Sequence, residues 1–172
     1  MLYDPDDELR LRTEQERQLV ILFDACRRSG HELLLELILP DGMASDVRTC
    51  SRSLSRLYEL GIKPDWWKLG PALDSESWKN VESVVEAHDP FCRGVVLLGL
   101  ATPEDGLLQA FRVAAPFKCV KGFAVGRTIF LDVASEWLRG IIDERRACEV
   151  MASRLGALAS GWKALKARGP AS

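Results

Sequence analysis

The stretch Gly61-Ile62-Lys63-Pro64-Asp65-Trp66-Trp67-Lys68-Leu69-Gly70-Pro71 decides how the chain is interpreted. It predicts a turn, a short buried strand and a second turn, because glycine and proline punctuate both ends of an apolar segment. Lys68 lies near the end of that strand, where a core residue would normally stand. A buried cation is costly unless it is paired or neutralised. The sequence therefore leaves two interpretations open, an amine nucleophile and a paired structural lysine.

Three other apolar segments predict strands of the same kind, and amphipathic segments separate them. Their spacing of about 25–32 residues is typical of βα repeats, which form a parallel sheet. The first segment is nearly continuous, so we expect that strand to be covered on both faces. These segments span residues 31–39, 94–100 and 119–125.

The helices carry recognisable start signals. Thr13-Glu14-Gln15-Glu16 matches a capping box and predicts the start of the first helix at Thr13. Asp46 is the expected cap of the second helix, and Asp74 or Ser75 that of the third. We predict one domain over residues 1–172: a loop over about 1–12, βα units over 13–142, and a terminal helix and tail over 143–172.

Two architectures fit this order, an open doubly wound sheet and part of a (β/α)8 barrel. No Gly-x-Gly-x-x-Gly loop follows any strand, which argues against a dinucleotide-binding fold. A complete barrel takes about 250 residues. A helix followed by four βα units amounts to half of one.

Composition excludes several classes of function. The chain has 172 residues, 47% of them hydrophobic, and a net charge of −2, so it offers no large positive field for nucleic acid. No apolar run reaches the roughly 20 residues that span a membrane, and the first residues lack the pattern of a signal peptide. We therefore expect a cytoplasmic protein without nucleic-acid or membrane partners.

Cysteine and histidine usage indicates neither a disulfide framework nor a metal site. The five cysteines are widely spaced and form no Cys-x-x-Cys pair, and neither His31 nor His88 has metal-ligand spacing. We expect reduced, mostly buried thiols and no metal or other cofactor. The cysteines are Cys26, Cys50, Cys92, Cys119 and Cys148.

Glu36 is the predicted partner of Lys68. Side chains alternate along strands, so Lys68 shares a face with Trp66, and Glu36 lies on the corresponding face of the preceding strand. If that face is the interior of a barrel, both side chains project inward near the carboxyl ends of their strands, where barrels hold active sites. A carboxylate beside the lysine can transfer protons, although a structural ion pair has the same composition.

The turns after the third and fourth strands predict a phosphate site. Gly126 and Arg127 follow the fourth strand, and Gly99 follows the third. Glycine allows close backbone approach, helix-opening amides bind anions, and arginine adds a bidentate cation. The alternative is an ordinary turn with a surface arginine. Trp67 is expected in the core, whereas Trp66 is a candidate pocket wall beside Lys68.

Three motifs resemble a family of bacterial domains that is found fused to 5-dehydro-2-deoxygluconokinase, a sugar kinase of myo-inositol breakdown. They are Lys63-Pro-Asp-Trp-Trp-Lys-Leu, Arg93-Gly-Val-Val-Leu-Leu-Gly-Leu and Lys121-Gly-Phe-Ala-Val-Gly-Arg-Thr-Ile-Phe130. The likeness covers nearly the whole chain. That family is similar to class I tagatose-bisphosphate aldolases, which are (β/α)8 barrels.

The resemblance implies cleavage of 2-deoxy-5-keto-gluconate 6-phosphate into dihydroxyacetone phosphate and malonate semialdehyde. Lys68 matches the Schiff-base lysine of the aldolases and Glu36 their acid/base glutamate. Gly126 and Arg127 match the Gly-Arg pair at the phosphate end, and Gly99 is the neighbouring candidate. The iminium would act as the electrophile, so no metal is implied.

One departure matters. In the aldolases a strand that carries a further active-site lysine precedes the Pro-Asp-Asp loop, and only Met1-Leu2-Tyr3 remains of it here. The chain therefore resembles the C-terminal half of the barrel, with unpaired strand edges and exposed apolar surface. An N-terminal half barrel or a second copy is the expected partner. The other hypotheses are a non-catalytic association module and a phosphosugar-binding domain that accompanies a kinase.

Overall fold

The computed structural model describes residues 1–40, 48–70, 74–99 and 102–168. Within these residues the chain is an α/β protein with one four-stranded parallel sheet and six helices. The strands are short, and a helix follows each of them. The elements are α1 (Leu9–Ser29), β1 (Leu34–Leu37), α2 (Thr49–Glu59), β2 (Trp66–Leu69), α3 (Ser75–His88), β3 (Gly94–Leu98), α4 (Glu104–Ala114), β4 (Val120–Ala124), α5 (Arg127–Leu138) and α6 (Glu144–Ala167).

The strands lie side by side in chain order, β1-β2-β3-β4, and every pair is parallel. Lys68 stands opposite Glu36 on one side and Val96 on the other. Between β3 and β4 the register shifts after Val95, so that Gly122 rather than Lys121 pairs with Val96. This irregularity decides which residues of β4 share a face with Lys68.

In the described part of the chain, helices pack on one face of the sheet, contrary to the expectation that the first strand is covered on both faces. Trp67 and Leu69 are fully buried in one hydrophobic cluster with residues of the helices. On the opposite face Leu34 is half-exposed, and Lys68 and Glu36 are partly exposed. A doubly wound sheet has helices on both faces and a reversal of strand order, and the described residues show neither. We call the uncovered side the open face.

The predicted core position of Trp67 is confirmed. Its indole Nε1 donates a hydrogen bond of 2.7 Å to the hydroxyl of Tyr58 in α2, and the two rings meet edge to face. Tyr58 in turn stacks on His88 of α3. The hydrogen bond satisfies a buried donor, so the large ring can pack between sheet and helices without an unpaired polar atom.

The first helix begins earlier than its capping box predicts. It starts at Leu9, and Glu16 does not cap it. Glu16 is only 5% exposed and accepts hydrogen bonds from the Tyr3 hydroxyl and from both Nε and Nη2 of Arg56. The interval Leu9–Arg12 consists of good helix formers, which extend the helix toward the N-terminus. The predicted loop over residues 1–12 is therefore too long.

Residues 1–3 extend the sheet beyond β1. Ile38 donates a backbone hydrogen bond of 2.8 Å to Met1, and Tyr3 donates one of 3.0 Å to Ile38, in a parallel bridge. Tyr3 is fully buried, and its hydroxyl reaches Glu16. The first residues therefore form an isolated parallel bridge to the residue that follows β1, beside the four-stranded sheet.

The other predicted helix starts fare differently. Asp74 caps α3, since its carboxylate accepts a hydrogen bond from the amide of Ser77. Gly61 follows α2 with φ of 79°, a left-handed conformation that favours glycine. Asp46 lies outside the described residues.

Candidate functional site

Lys68 and Glu36 meet on the open face of the sheet. The parallel register of β1 and β2 places them side by side, and Lys68 Nζ donates a hydrogen bond of 3.0 Å to Glu36 Oε2. The two side chains are 19% and 32% exposed, respectively. Both residues are third in strands of four, so the pair lies toward the carboxyl ends. The amine is thus within proton-transfer distance of a carboxylate and still accessible from the open face.

A recess of about 310 Å³ begins at this pair and extends across β3 and β4. Five of the six residues that the sequence singles out line it, namely Glu36, Lys68, Gly99, Gly126 and Arg127. The structure therefore brings a nucleophile candidate, an acid/base candidate and the glycine-containing turns to one place. The remaining lining residues are Leu98, Ala124, Thr128 and Phe130.

Trp66 is not among the residues that line this recess. It shares the open face with Lys68 but lies two positions nearer the start of β2. Its indole Nε1 donates a hydrogen bond of 3.3 Å to the carboxylate of Glu32, which also pairs with Arg93 at 2.9 Å. Trp66 thus belongs to the opposite end of the open face.

The two glycines allow their backbones to approach neighbouring groups closely. A Cβ on Gly99 would lie 2.9 Å from Cγ1 of Val125, and one on Gly126 would lie 3.0 Å from Cε1 of Phe130. A side chain at Gly99 would therefore force the two turns apart. The contact at Gly99 explains physically why glycine occupies that position, whereas a Cβ at Gly126 would require only a small shift of the Phe130 ring.

Gly126 directly precedes α5, whose first turn faces the recess through Arg127 and Thr128. The first amides of a helix have no acceptor within the helix, and the helix dipole adds partial positive charge there. Arg127 contributes a full charge in the same place. This end of the recess suits an anion such as a phosphate.

Four lining residues were not predicted from the sequence. Leu98 and Ala124 follow by strand alternation once the shifted register of β3 and β4 is known, since they pair with one another. Thr128 comes directly after Arg127, so its position next to the predicted anion site could have indicated it. Phe130 is one helical turn beyond Gly126, and no motif indicates it.

In the described part of the chain, two grooves of much greater volume lie among the helices. One of about 500 Å³ includes Arg52 and Arg56, which already pair with Asp6 and Glu16. The other, of about 590 Å³, borders the recess through Arg127 and Thr128. Neither groove is lined by Lys68 or Glu36. We therefore place the candidate site in the smaller recess, because it contains both Lys68 and Glu36.

The cysteines are unpaired, and burial keeps two of them unreactive. Burial raises the pKa of the Cys50 thiol to about 12, and burial raises that of Cys119 to about 12 as well, with a further contribution from Glu82. Thiols with such pKa values remain protonated and are poor nucleophiles. Among the described residues no three His, Cys, Asp or Glu side chains are grouped so that they could hold a metal ion.

The fold and the site together define an α/β protein with a lysine–glutamate pair at the carboxyl ends of parallel strands. Residues 1–166 match a protein family described as "Uncharacterized protein conserved in bacteria (DUF2090)", and the chain belongs to that family. No curated protein matched the sequence. In the described part of the chain, none of the helices combines the length and apolar character needed to cross a bilayer.

Proposed function

We propose that this chain is a class I aldolase domain that cleaves a phosphorylated keto sugar through a Schiff base on Lys68. The observation that carries the proposal is the 3.0 Å contact between Lys68 Nζ and Glu36 Oε2 inside a recess that ends at Gly126 and Arg127. A nucleophile, a proton carrier and an anion site along one recess match the demands of this reaction.

In the first half of the reaction Lys68 attacks the ketone carbon of the substrate. The ammonium proton passes to Glu36, the neutral amine forms the new carbon–nitrogen bond, and one proton then moves from the nitrogen to the former ketone oxygen to give the neutral carbinolamine. Glu36 then protonates the hydroxyl of the resulting carbinolamine, water leaves, and an iminium remains. The positively charged iminium is the electron sink for the next step.

In the second half Glu36, now a carboxylate, removes the proton from the hydroxyl β to the iminium carbon. The carbon–carbon bond breaks, an aldehyde leaves, and the bonding electrons move into the iminium to form an enamine. Protonation of the enamine carbon and hydrolysis by water release the ketone product and free Lys68. Electrons and protons balance without an external oxidant or reductant.

The substrate phosphate is assigned to the far end of the recess. The first amides of α5, the backbone at Gly99 and Gly126, and the guanidinium of Arg127 supply donors and positive charge. The resemblance described above suggests 2-deoxy-5-keto-gluconate 6-phosphate of myo-inositol breakdown as the substrate. Dihydroxyacetone phosphate and malonate semialdehyde would be the products.

We further propose that the sheet is half of a (β/α)8 barrel. Chain-order parallel strands, helices on one face and a candidate site at the carboxyl ends all support this. The open face would then be the barrel interior, closed by an N-terminal half barrel or by a second copy. Closure would exclude water from Lys68 and strengthen its contact with Glu36.

Borohydride trapping tests the aldolase proposal. The folded chain is incubated with dihydroxyacetone phosphate and then reduced, and the adduct is located by peptide mass spectrometry. We expect modification of Lys68, none in Lys68→Arg, and unchanged modification in Lys63→Ala, a control at an exposed lysine five residues away. The arginine keeps the positive charge beside Glu36 but forms no Schiff base. Absence of an adduct on a soluble, folded oligomer contradicts the proposal.

The test also separates the alternatives. A phosphorylated ligand that binds without forming an adduct favours a phosphosugar-binding domain, which could accompany a sugar kinase. The association module is supported by a separate observation, an exposed apolar stripe on α5. Val133 is the one α5 residue that is buried, whereas Phe130, Trp137, Leu138 and Ile141 are exposed at helical spacing along and just beyond the helix. Association without ligand binding or adduct would favour that function.

A further inference from the structure

Two turns that form the far end of the recess are joined by a side-chain hydrogen bond. Thr128, in the first turn of α5, donates from Oγ1 to the backbone oxygen of Thr102 at 2.8 Å. Thr102 lies just before α4, in the connection that follows β3. The bond therefore links the β4–α5 turn to the β3–α4 connection, 26 residues away in sequence.

Thr102 also contacts Gly99, the residue that follows β3, through its backbone. The amide of Thr102 donates a hydrogen bond of 2.8 Å to the backbone oxygen of Gly99. Two successive hydrogen bonds through Thr102 therefore connect Thr128 to Gly99, one of the two glycines of the proposed phosphate end.

A second contact joins the two turns near the strands. The Gly99 backbone packs so closely on Val125 that a Cβ there would lie 2.9 Å from Cγ1 of Val125. Gly99 is therefore linked to the β4–α5 turn twice, by its contact with Val125 and through Thr102 and Thr128. Gly126 follows Val125 directly in that turn.

We propose that Thr128 is a positioning residue that clamps Gly99 and Gly126 into a single preformed phosphate cradle. This inference rests on the proposed function of the recess as a phosphosugar site. The hydroxyl proton of Thr128 is committed to Thr102, so the hydroxyl does not donate to a phosphate oxygen. Thr128 acts through the backbone it holds, and a preformed cradle reduces the ordering cost of anion binding.

The experiment titrates inorganic phosphate into the full chain and follows the backbone amide resonances of Gly99, Gly126 and Arg127. Thr128→Val keeps the β-branched shape and removes the hydroxyl, and we expect phosphate affinity to fall about threefold to tenfold, the effect of one lost hydrogen bond. Thr128→Ser keeps the hydroxyl and should bind phosphate like the wild type.

Two further measurements separate positioning from a general loss of structure. In Thr128→Val, trapping of Lys68 should slow more with dihydroxyacetone phosphate than with unphosphorylated dihydroxyacetone, because only the first ketone carries the group that the cradle binds. Equal slowing with both ketones would contradict a positioning role. If that variant does not fold, Val125→Ala releases Gly99 from the other side and should also weaken phosphate binding.

Several outcomes overturn the clamp. These are wild-type affinity in Thr128→Val, equal weakening in Thr128→Ser, or a wild-type chain whose recess amides do not respond to phosphate. Phosphate binding with the expected variant pattern but without any Lys68 adduct supports the clamp while contradicting the aldolase chemistry. The two proposals therefore fail separately.

Discussion

Lys68 of β2 and Glu36 of β1 are register partners in a parallel pair of strands, and their side chains meet at 3.0 Å on the open face. The backbone hydrogen bonds of the sheet thus set the separation of the two groups. A proton can pass between them without rearrangement of either strand.

Glu36→Gln should slow Schiff-base trapping at Lys68 by about a hundredfold or more, because it removes the proton carrier. The free energy of unfolding should change by less than about 1 kcal/mol, since both side chains remain partly solvated. Trapping rates and urea denaturation measure the two effects. Glu32→Gln is the matched control, a carboxylate that bonds to Trp66 and Arg93 outside the recess. Trapping at the wild-type rate in Glu36→Gln would exclude an acid/base role.

Glu16→Gln should destabilise the fold by about 1–3 kcal/mol at pH 7, because a buried carboxylate loses charge-assisted bonds to Arg56. Those bonds hold the pKa of Glu16 below its usual 4.5. A lowered pKa gives stability that is fully present above pH 4.5 and declines as the pH falls through the folded-state pKa. Denaturant unfolding at pH 7 and at lower pH should show this decline in the wild type and less of it in the variant.

Glu14→Gln is the control for Glu16 within the same helix. The Arg17 guanidinium lowers the pKa of Glu14 to about 2, but both side chains of that pair are more than half exposed. Solvent screens such a pair, so we expect a smaller change in stability. Equal losses in the two variants would show that burial of Glu16 is not the cause.

Gly99→Ala should weaken phosphate binding, because its new Cβ would overlap the side chain of Val125. Val125→Ala frees that space, so the double variant Gly99→Ala/Val125→Ala should lose less than the sum of the two single losses. We expect a coupling of about 0.5–3 kcal/mol, typical of residues in contact. Phosphate titrations of the wild type, the two single variants and the double variant supply the double-mutant cycle. Additive losses would contradict the close contact between Gly99 and Val125.

Leu138→Glu and Ile141→Lys should reduce self-association measured by sedimentation velocity, because each places a charge on the apolar stripe of α5. The two side chains are 78% and 65% exposed, so neither change disturbs the core. Phe91→Glu is the control, since Phe91 is 89% exposed and lies outside α5, in the turn between α3 and β3. If all three variants behave alike, the stripe has no special role in association.

Strand alternation made the central part of the site predictable. The position of Lys68 within an apolar segment and the matching position of Glu36 lead to their contact without knowledge of the helices. The glycines were predictable because they directly follow strands. These features depend on local sequence and on the common direction of the strands.

The remaining features depend on interactions between distant segments. Leu34 is apolar although it is half-exposed. Its strand therefore lacks the alternation of polar and apolar residues that would have predicted an open face. The predicted start of α1 at Thr13 was wrong, because Glu16 pairs with Arg56, 40 residues away, instead of capping the helix. The register shift after Val95 selects Ala124 as a recess residue, and no local pattern indicates that shift.

The division of β2 into a covered face and an open face has an evolutionary consequence. Substitutions at Trp67 and Leu69 act on packing, so selection there concerns how much folded protein persists in a cell. Substitutions at Trp66 and Lys68 leave that packing largely intact, so selection there is free to concern what the folded protein binds or converts. The chemistry of the open face can therefore change while the protein stays folded, because selection acts on packing at two of the four positions of β2 and on binding or catalysis at the other two.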